Sequence, residues 1–301
     1  MTNPAHRGVL RARHPRSTLT QFSQSLEHRN SPGQSPDVST CKICGGRSPK
    51  VFGLPSSKLA GRNIPDLPDD CAYYRCSRCQ FLFAHLLDDI DNTQVYDESY
   101  WDNQDPDWHG RVNQTLRLVM LSNLLLNRLP WELEICDFGC GMGTFVEAGR
   151  KHLGLKVTGF DIIRPKFGLD HFIDTMPEQR FDLVVACEVI EHLPDPLGMI
   201  EPAIRSLKPG GVFAYQTAVY EPEGCGRDWW YLGPANGHVS LYSRGAFDEM
   251  FKKFGGTRRL SYDNYPGVQA WQIGGAPAAD VQRAAPKDNV FKKFARRFRK
   301  Y

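Results

Sequence analysis

Four cysteines in two pairs carry the densest chemistry in the chain: Cys41 and Cys44 in CKICGG, and Cys76 and Cys79 in YYRCSRCQFLF, with thirty-one residues between the pairs (76 − 44 − 1). Each pair can present two thiolates to one tetrahedral zinc. A shell closed by four sulfurs leaves no position for a substrate, so the expected site is structural. Two such pairs suit a metal better than disulfide bridges, and a reducing compartment follows. The other cysteines, Cys71, Cys136, Cys140, Cys187 and Cys225, are scattered. Three of them lie in or beside apolar runs, where the thiol behaves as a small hydrophobe, and none is given a role.

A second constellation is built on acids and glycines. EICDFGCGMGTF puts Asp137 at the end of a strand pattern, Gly139, Gly141 and Gly143 in the turn, and a helix start directly after. Glycines there let backbone approach a ligand and aim helix N-terminal amides at it. Such a turn alone also fits dinucleotide binding. Asp137 discriminates, because a carboxylate there repels a pyrophosphate but can hold the ammonium end of a methionine-like cofactor. Asp161 closes the next strand pattern in KVTGFD, where a carboxylate can accept two ribose hydroxyls.

A third group follows FDLVVAC: Glu188, Glu191 and His192, with Pro194 and Pro196 fixing the loop behind them. Spacings of three and four residues share one face if the segment coils. Three readings are open. Glu188 touches the cofactor while Glu191 and His192 hold the loop; the set binds a divalent cation through carboxylates and imidazole; or His192 is itself a base. Farther on, EPEGCGRDWWYLGPANG carries Trp229, Trp230 and Tyr231, either a stacking surface for an acceptor or a buried lid.

These residues need a scaffold. From Leu133 onward short apolar runs (LEICDF, KVTGFD, FDLVVAC, GVFAYQTAV) alternate with helical patterns (TFVEAGRKHL, PLGMIEPAIRSL), the signature of a parallel sheet covered by helices. Ser243 is a good N-cap for GAFDEMFKKF, and Gly255 can stop that helix in the left-handed conformation. TRRLSY and VQAWQIGG would close the sheet. Ahead of it, Val112, Leu116, Val119, Met120 and Leu124 fall at helical spacing, and Pro130 is expected to end that helix. The chain divides into a basic disordered segment at 1–38, a compact loop-rich cysteine module at 39–95, a helical connector at 96–131, a catalytic domain at 132–275, and a linker with a basic tail at 276–301.

Residues 133–275 resemble the class I S-adenosylmethionine-dependent methyltransferases, on the strength of EICDFGCGMGTF, KVTGFD, FDLVVACEVIEHLPDP and SLKPGGVFAYQT in that order. The resemblance implies an α/β, Rossmann-like sheet of seven strands, the last antiparallel, here with a small zinc-ribbon module in front. It implies S-adenosyl-L-methionine as cofactor, with Asp137, Gly139, Gly141 and Gly143 around its methionine part, Asp161 on the ribose and Asp174 near the adenine. Only nineteen residues, 162 to 180, separate Asp161 from Phe181, so the third strand must be short. EVIEH is similar to the metal-binding segment of small-RNA 3′-end and ubiquinone-pathway O-methyltransferases, where Glu188, Glu191, His192 and a downstream histidine would hold a divalent cation. His238 in GHVSLYS stands where these relatives place a functional histidine. It is either a base for the acceptor or packing beneath its loop.

The cysteine module together with YDESYW resembles the front of bacterial methyltransferases acting on sugars or secondary metabolites. A small-molecule or glycan acceptor, methylated on oxygen or carbon, is the expectation. The alternative is ribose 2′-O methylation of RNA, with the ribbon and basic termini gripping the substrate. A formal charge of only +3, and a segment after the fourth strand unlike the Asn/Asp-Pro-Pro-aromatic type, count against nucleic acid. VFKKFARRFRKY sets Phe291, Phe294 and Phe298 opposite Lys and Arg, suited to an anionic membrane surface or to a solubilising tail. The N-terminus has basic residues without an apolar segment behind them, and a cytoplasmic location is expected.

Overall fold

The computed structural model describes residues 37–55, 70–90, 95–96, 108–262 and 265–274. The basic segment expected at 1–38, save its last two residues, and the linker and tail at 276–301 lie outside the described residues.

Two sheets organise the rest. In the first, β1 (Val38–Thr40), β2 (Arg47–Pro55), β3 (Asp70–Arg75) and β4 (Leu82–Ala84) run antiparallel in that order. The loop-rich module expected here is thus a strand ribbon. Aromatic and β-branched residues in KVFGL, CAYY and FLFA favour pleated backbone, and Tyr73, Tyr74, Phe81 and Phe83 are all buried. A fifth strand, β10 (Ser240–Leu241), arrives from far along the chain and pairs with β4, Ser240 opposite Phe83.

The second sheet contains β5 (Glu134–Phe138), β6 (Lys156–Phe160), β7 (Phe172–Ile173), β8 (Phe181–Cys187), β9 (Leu207–Gln216), β11 (Gly256–Tyr262) and β12 (Tyr265–Ile273), in the order β11-β12-β9-β8-β5-β6-β7. The five strands β5 to β9 pair in parallel, and β12 is antiparallel to both neighbours. This is the expected seven-stranded arrangement, and β7 has the two-residue length that the tight spacing after Asp161 allows. Every residue of β8 is buried, as a central strand covered on both faces requires.

Helix α1 (Trp108–Leu126) packs on β8, β9 and β12, and α2 (Thr144–Leu153), α3 (Pro196–Arg205) and α4 (Arg244–Lys253) fill the crossovers. Helix α1 stops before Pro130. Asn127 takes a left-handed φ of 50° and donates to the Asn123 carbonyl, while Pro130 opens a separate 3-10 turn. Leu124, expected on the apolar face, is exposed; Leu118, Leu121 and Leu125 are buried instead, because the helix meets α2 as well as the sheet. Ser243 caps α4 as expected, its hydroxyl accepting from the Ala246 amide, and Gly255 is left-handed.

Among the described residues, the apolar side chains of the ribbon pack into clusters shared with the rest of the chain. Ile43, Phe81 and Phe83 belong to one apolar cluster with Tyr242, Phe247 and Phe251, and Phe81 lies 5.1 Å from Tyr242 between ring centres.

At the opposite end of the sheet, Asp182 ties three elements together. It accepts from Arg128 Nη1 (2.7 Å), Lys208 Nζ (3.0 Å) and the Glu134 amide (2.9 Å). Burial alone would raise its pKa, but these hydrogen bonds outweigh that and hold it below the ordinary carboxylate range. Stability from this group is therefore complete above the ordinary value and is lost as pH falls through the lowered one. Asp182→Asn should cost about 1–3 kcal/mol at neutral pH in urea unfolding, and the mutant should lose less stability than wild type between pH 5 and pH 3.

Candidate functional site

A cavity of about 300 Å³ opens at the carboxyl ends of β5, β6 and β8, where crossovers leave a crevice. Its wall includes Asp137, Gly139, Gly141, Thr144, Asp161, Glu188 and His192, together with Arg111 from the first turn of α1 and Tyr96. Of the residues that sequence marked, Gly143, Asp174, Glu191 and His238 do not line it.

The glycine turn is held from inside. The Gly139 and Cys140 amides donate to the Phe160 carbonyl (2.8 and 3.1 Å), the Gly141 amide to Asp161 Oδ2 (2.7 Å), and the Gly143 amide to the Cys140 carbonyl (2.9 Å). With those four N–H groups engaged, the turn is not the amide cradle that a phosphate needs. Gly143 is not in the cavity wall; its φ of 80° and a Cβ position that would collide with the Phe167 carbonyl account for the glycine by backbone and packing. Asp161 also accepts from the Ile163 amide (3.1 Å), so each oxygen already fixes the loop and keeps a lone pair for a ligand.

Asp137 is buried, and that burial, reinforced by the Asp161 charge, pushes its carboxyl up to about 7. Burial also raises Asp161. Thr144, in the cavity wall, has a buried hydroxyl with no hydrogen-bond partner among the described residues. These groups fit a ligand that brings a positive charge and hydrogen-bonding hydroxyls. Asp174 follows β7 at an exposed position outside the cavity wall.

The helical face expected for Glu188, Glu191 and His192 does not form. Glu188 sits at the end of β8 with a left-handed φ of 54°, and only residues 190–192 coil, as a 3-10 turn. The two carboxylates meet at Tyr231 instead. Its hydroxyl lies 2.5 Å from Glu191 Oε1 and 2.8 Å from Glu188 Oε2, with Thr217 Oγ1 at 3.1 Å. One hydroxyl donates one proton, so the second carboxyl completes its contact by donating in return. Burial first, then the Glu191 charge, pushes Glu188 up to about 7, against the lowering effect of the Tyr231 and Gln216 hydrogen bonds and of Arg111. Glu191 is raised by burial, and its Oε2 has no hydrogen-bond partner among the described residues.

Behind these acids, His192 and His238 stand edge to face with ring centres 4.8 Å apart. Tyr96 Oη lies 3.1 Å from His192 Nδ1, and His192 Nε2 lies 4.0 Å from Glu191 Oε1. Burial, then His238 and Arg111, depress His192 well below the ordinary imidazole value, so it is neutral near pH 7. His238 is also lowered by burial. Its Nδ1 lies 2.6 Å from the Tyr231 carbonyl, which can only accept, so Nδ1 carries the proton and Nε2 the lone pair. Glu191, His192 and His238 bring one ligand atom each within 4.8 Å of one another.

The four paired cysteines also converge. Cys41 Sγ lies 3.6 Å from Cys79 Sγ and Cys44 Sγ 3.4 Å from Cys76 Sγ, with all four sulfurs within 4.8 Å. Sulfurs about 2.3 Å from a tetrahedral zinc are separated by about 3.8 Å. The Cys44 amide points at Cys41 Sγ, and those of Arg78 and Cys79 at Cys76 Sγ, as thiolates favour. Of the nearby aromatics, Tyr231 is buried, Trp229 partly so, and Trp230 exposed.

Sequence reasoning missed Arg111, Thr144, Tyr96 and the hydroxyl of Tyr231. A single arginine before an apolar helical stripe gives no signal in one sequence, and Tyr231 was marked only as an aromatic surface.

Residues 108–257 match the family model described as a methyltransferase domain. This segment has a methyltransferase fold. Curated relatives of the chain are named ubiquinone biosynthesis O-methyltransferases. The one from Coxiella burnetii is 29% identical over 37% of this chain and 56% of its own length, and that from Pseudomonas fluorescens 31% identical over 40% and 57%. The chain thus spans little more than half the length of these relatives. Among solved structures, the Burkholderia thailandensis 1,6-didemethyltoxoflavin N1-methyltransferase with bound S-adenosylhomocysteine is similar at 18% identity and a TM-score of 0.44, covering 59% of this chain and 85% of that one. A putative methyltransferase in complex with Haloferax volcanii Trm112 is similar at 17% and 0.40, covering 59% and 98%.

The acids around the cavity of the methyltransferase domain carry a cost in the ligand-free protein. A carboxyl raised from its ordinary value to about 7 loses stability as pH climbs between the two. Glu188→Gln should therefore flatten the fall in melting temperature between pH 5 and pH 8; a mutant as steep as wild type would contradict the burial of this charge.

Proposed function

We propose that this chain moves a methyl group from S-adenosylmethionine to oxygen or carbon of a small-molecule or sugar-like acceptor. The observation that carries the reading is the pairing of a buried, raised Asp137 with a glycine turn whose amides are engaged internally: such a wall attracts a cationic nucleoside and offers no phosphate cradle. Names of the curated relatives support an oxygen acceptor.

When bound, the cofactor would supply a sulfonium methyl whose carbon the acceptor atom attacks, in line with the thioether that leaves. Asp137 balances the ammonium, Asp161 and Thr144 receive hydroxyls, and Glu188 borders the reacting end. As the acceptor oxygen bonds to carbon, its proton must leave. His192 lines the cavity and is neutral near pH 7, so it takes that proton, while His238 and Tyr96 fix its ring.

Calorimetry with S-adenosylmethionine should show affinity rising as pH climbs through about 7, where Asp137 ionises, and Asp137→Asn should lose both affinity and that slope. His192→Gln should cut transfer of labelled methyl into a fractionated cell extract by about 100-fold while leaving cofactor affinity near wild type. No uptake of the cofactor by folded protein would end the reading.

Two metal roles belong to the same proposal. The cysteine cluster fits one structural zinc, and one zinc per chain is expected by elemental analysis, with a lower melting temperature after chelation. A second reading of the histidine pair is favoured by one observation, a Glu191 Oε2 beside His192 and His238 that has no hydrogen-bond partner among the described residues: a divalent cation held there by carboxylate and imidazole. Titration with Mn²⁺ or Mg²⁺ distinguishes the two, since cation-dependent turnover abolished in Glu191→Gln supports the cation, and turnover indifferent to chelators supports His192 acting alone.

A further inference from the structure

The cysteine cluster and the methyl-transfer cavity are joined by one partly buried ammonium. Lys42 lies inside the first cysteine pair, between Cys41 and Cys44, and its side chain is 12% exposed. Its three N–H bonds reach Asp88 Oδ1 (2.5 Å), the Ala84 carbonyl (3.0 Å) and the Pro194 carbonyl (3.0 Å), and the charge lies 5.5 Å from the centre of the Phe83 ring. Pro194 ends the loop that carries Glu188, Glu191 and His192. The charged groups that face Lys42 are Asp88 and Asp195; Asp88 is held from its other side by His85 Nδ1 at 2.7 Å, whose Nε2 lies 2.8 Å from Ser39 Oγ. The ammonium is thus gripped from the ribbon and aimed at the active-site loop.

The same loop is held at other points by the segment that pairs with the ribbon. Ser240 Oγ donates to the Leu193 carbonyl (2.6 Å), Tyr242 Oη to the Ile190 carbonyl (2.9 Å) and the Val239 amide to the Glu191 carbonyl (3.0 Å). From the ribbon, Tyr73 Oη donates to the His238 carbonyl (2.8 Å), and Ser243 Oγ donates to the carbonyl of Cys79, one of the four clustered cysteines. Even a partly buried ammonium is a costly fastener where an apolar side chain would pack more cheaply. What it provides is direction, since three fixed acceptors allow one placement of the loop relative to the knuckle.

We propose that Lys42 is a positioning residue for methyl transfer, coupling the state of the four-cysteine site to the placement of Glu188, Glu191 and His192. The inference rests on the function proposed above. It assigns the cysteine site a part in catalysis beyond holding the ribbon together: loss of metal slackens the knuckle, Lys42 withdraws from Pro194, and His192 leaves the cavity wall.

The test uses full-length, zinc-loaded protein and the imidazole signals of His192 and His238 in NMR, identified by His192→Gln and His238→Gln. Lys42→Met is expected to keep its zinc and to bind S-adenosylmethionine within about twofold of wild type, because Lys42 is not in the cavity wall. Both imidazole signals should nevertheless shift, in the direction produced in wild type when a mercurial strips the zinc, and labelled-methyl transfer should fall about 10- to 100-fold. Lys42→Arg should restore most of both. Should Lys42→Met fail to fold, Asp88→Asn loosens the same ammonium and should move the same signals less. A folded, zinc-loaded Lys42→Met or Asp88→Asn protein with unmoved signals overturns the proposal. If wild type takes up no cofactor, the proposed function fails while the NMR comparison still decides the coupling.

Discussion

Negative charge buried around one cavity is the constraint on which the rest of this structure depends. Asp137, Asp161, Glu188 and Glu191 all crowd the carboxyl edge of the large sheet, and burial raises every one of them. Arg111 is a cation the chain places among them, and its field opposes the rise at Glu188 and Glu191. Hydrophobic burial elsewhere must offset this arrangement, and the fully buried β8 with its flanking clusters is placed to do so. A protein that keeps such acids out of water gains by admitting a cationic guest.

The scaffold was legible in sequence where one residue type has one physical use. Ser243 followed by an apolar helix and Gly255 could only be a capped segment, and the alternation of short apolar runs with helical patterns dictated a parallel sheet. The nineteen residues after Asp161 implied a stunted third strand, and β7 has two residues. The converging sulfurs were legible for the same reason, since pairs of cysteines at knuckle spacing have few other uses.

What sequence hid was set by contacts between distant parts. Helical spacing suggested that Glu188, Glu191 and His192 share a face, yet a left-handed Glu188 and a hydroxyl forty residues downstream of Glu191 bring the acids together. Local periodicity says nothing of a phenol arriving from another loop. Leu124 was misplaced because a stripe read from spacing assumes one partner, whereas α1 faces both the sheet and α2. The roles of Gly143 and Asp174 were carried over by position, and position did not reveal that a Cβ at Gly143 would meet the Phe167 carbonyl or that both residues lie outside the cavity wall.

The pairing of β10 with β4 sets the order in which this chain can mature. Ser240 and Phe83 lie 157 residues apart (240 − 83), so the small sheet waits for its last member until most of the large one has left the ribosome. Until then the β4 edge is an open row of backbone donors and acceptors beside aromatic side chains, the kind of surface on which nascent chains stick to one another. A contact of such long range is slow to form.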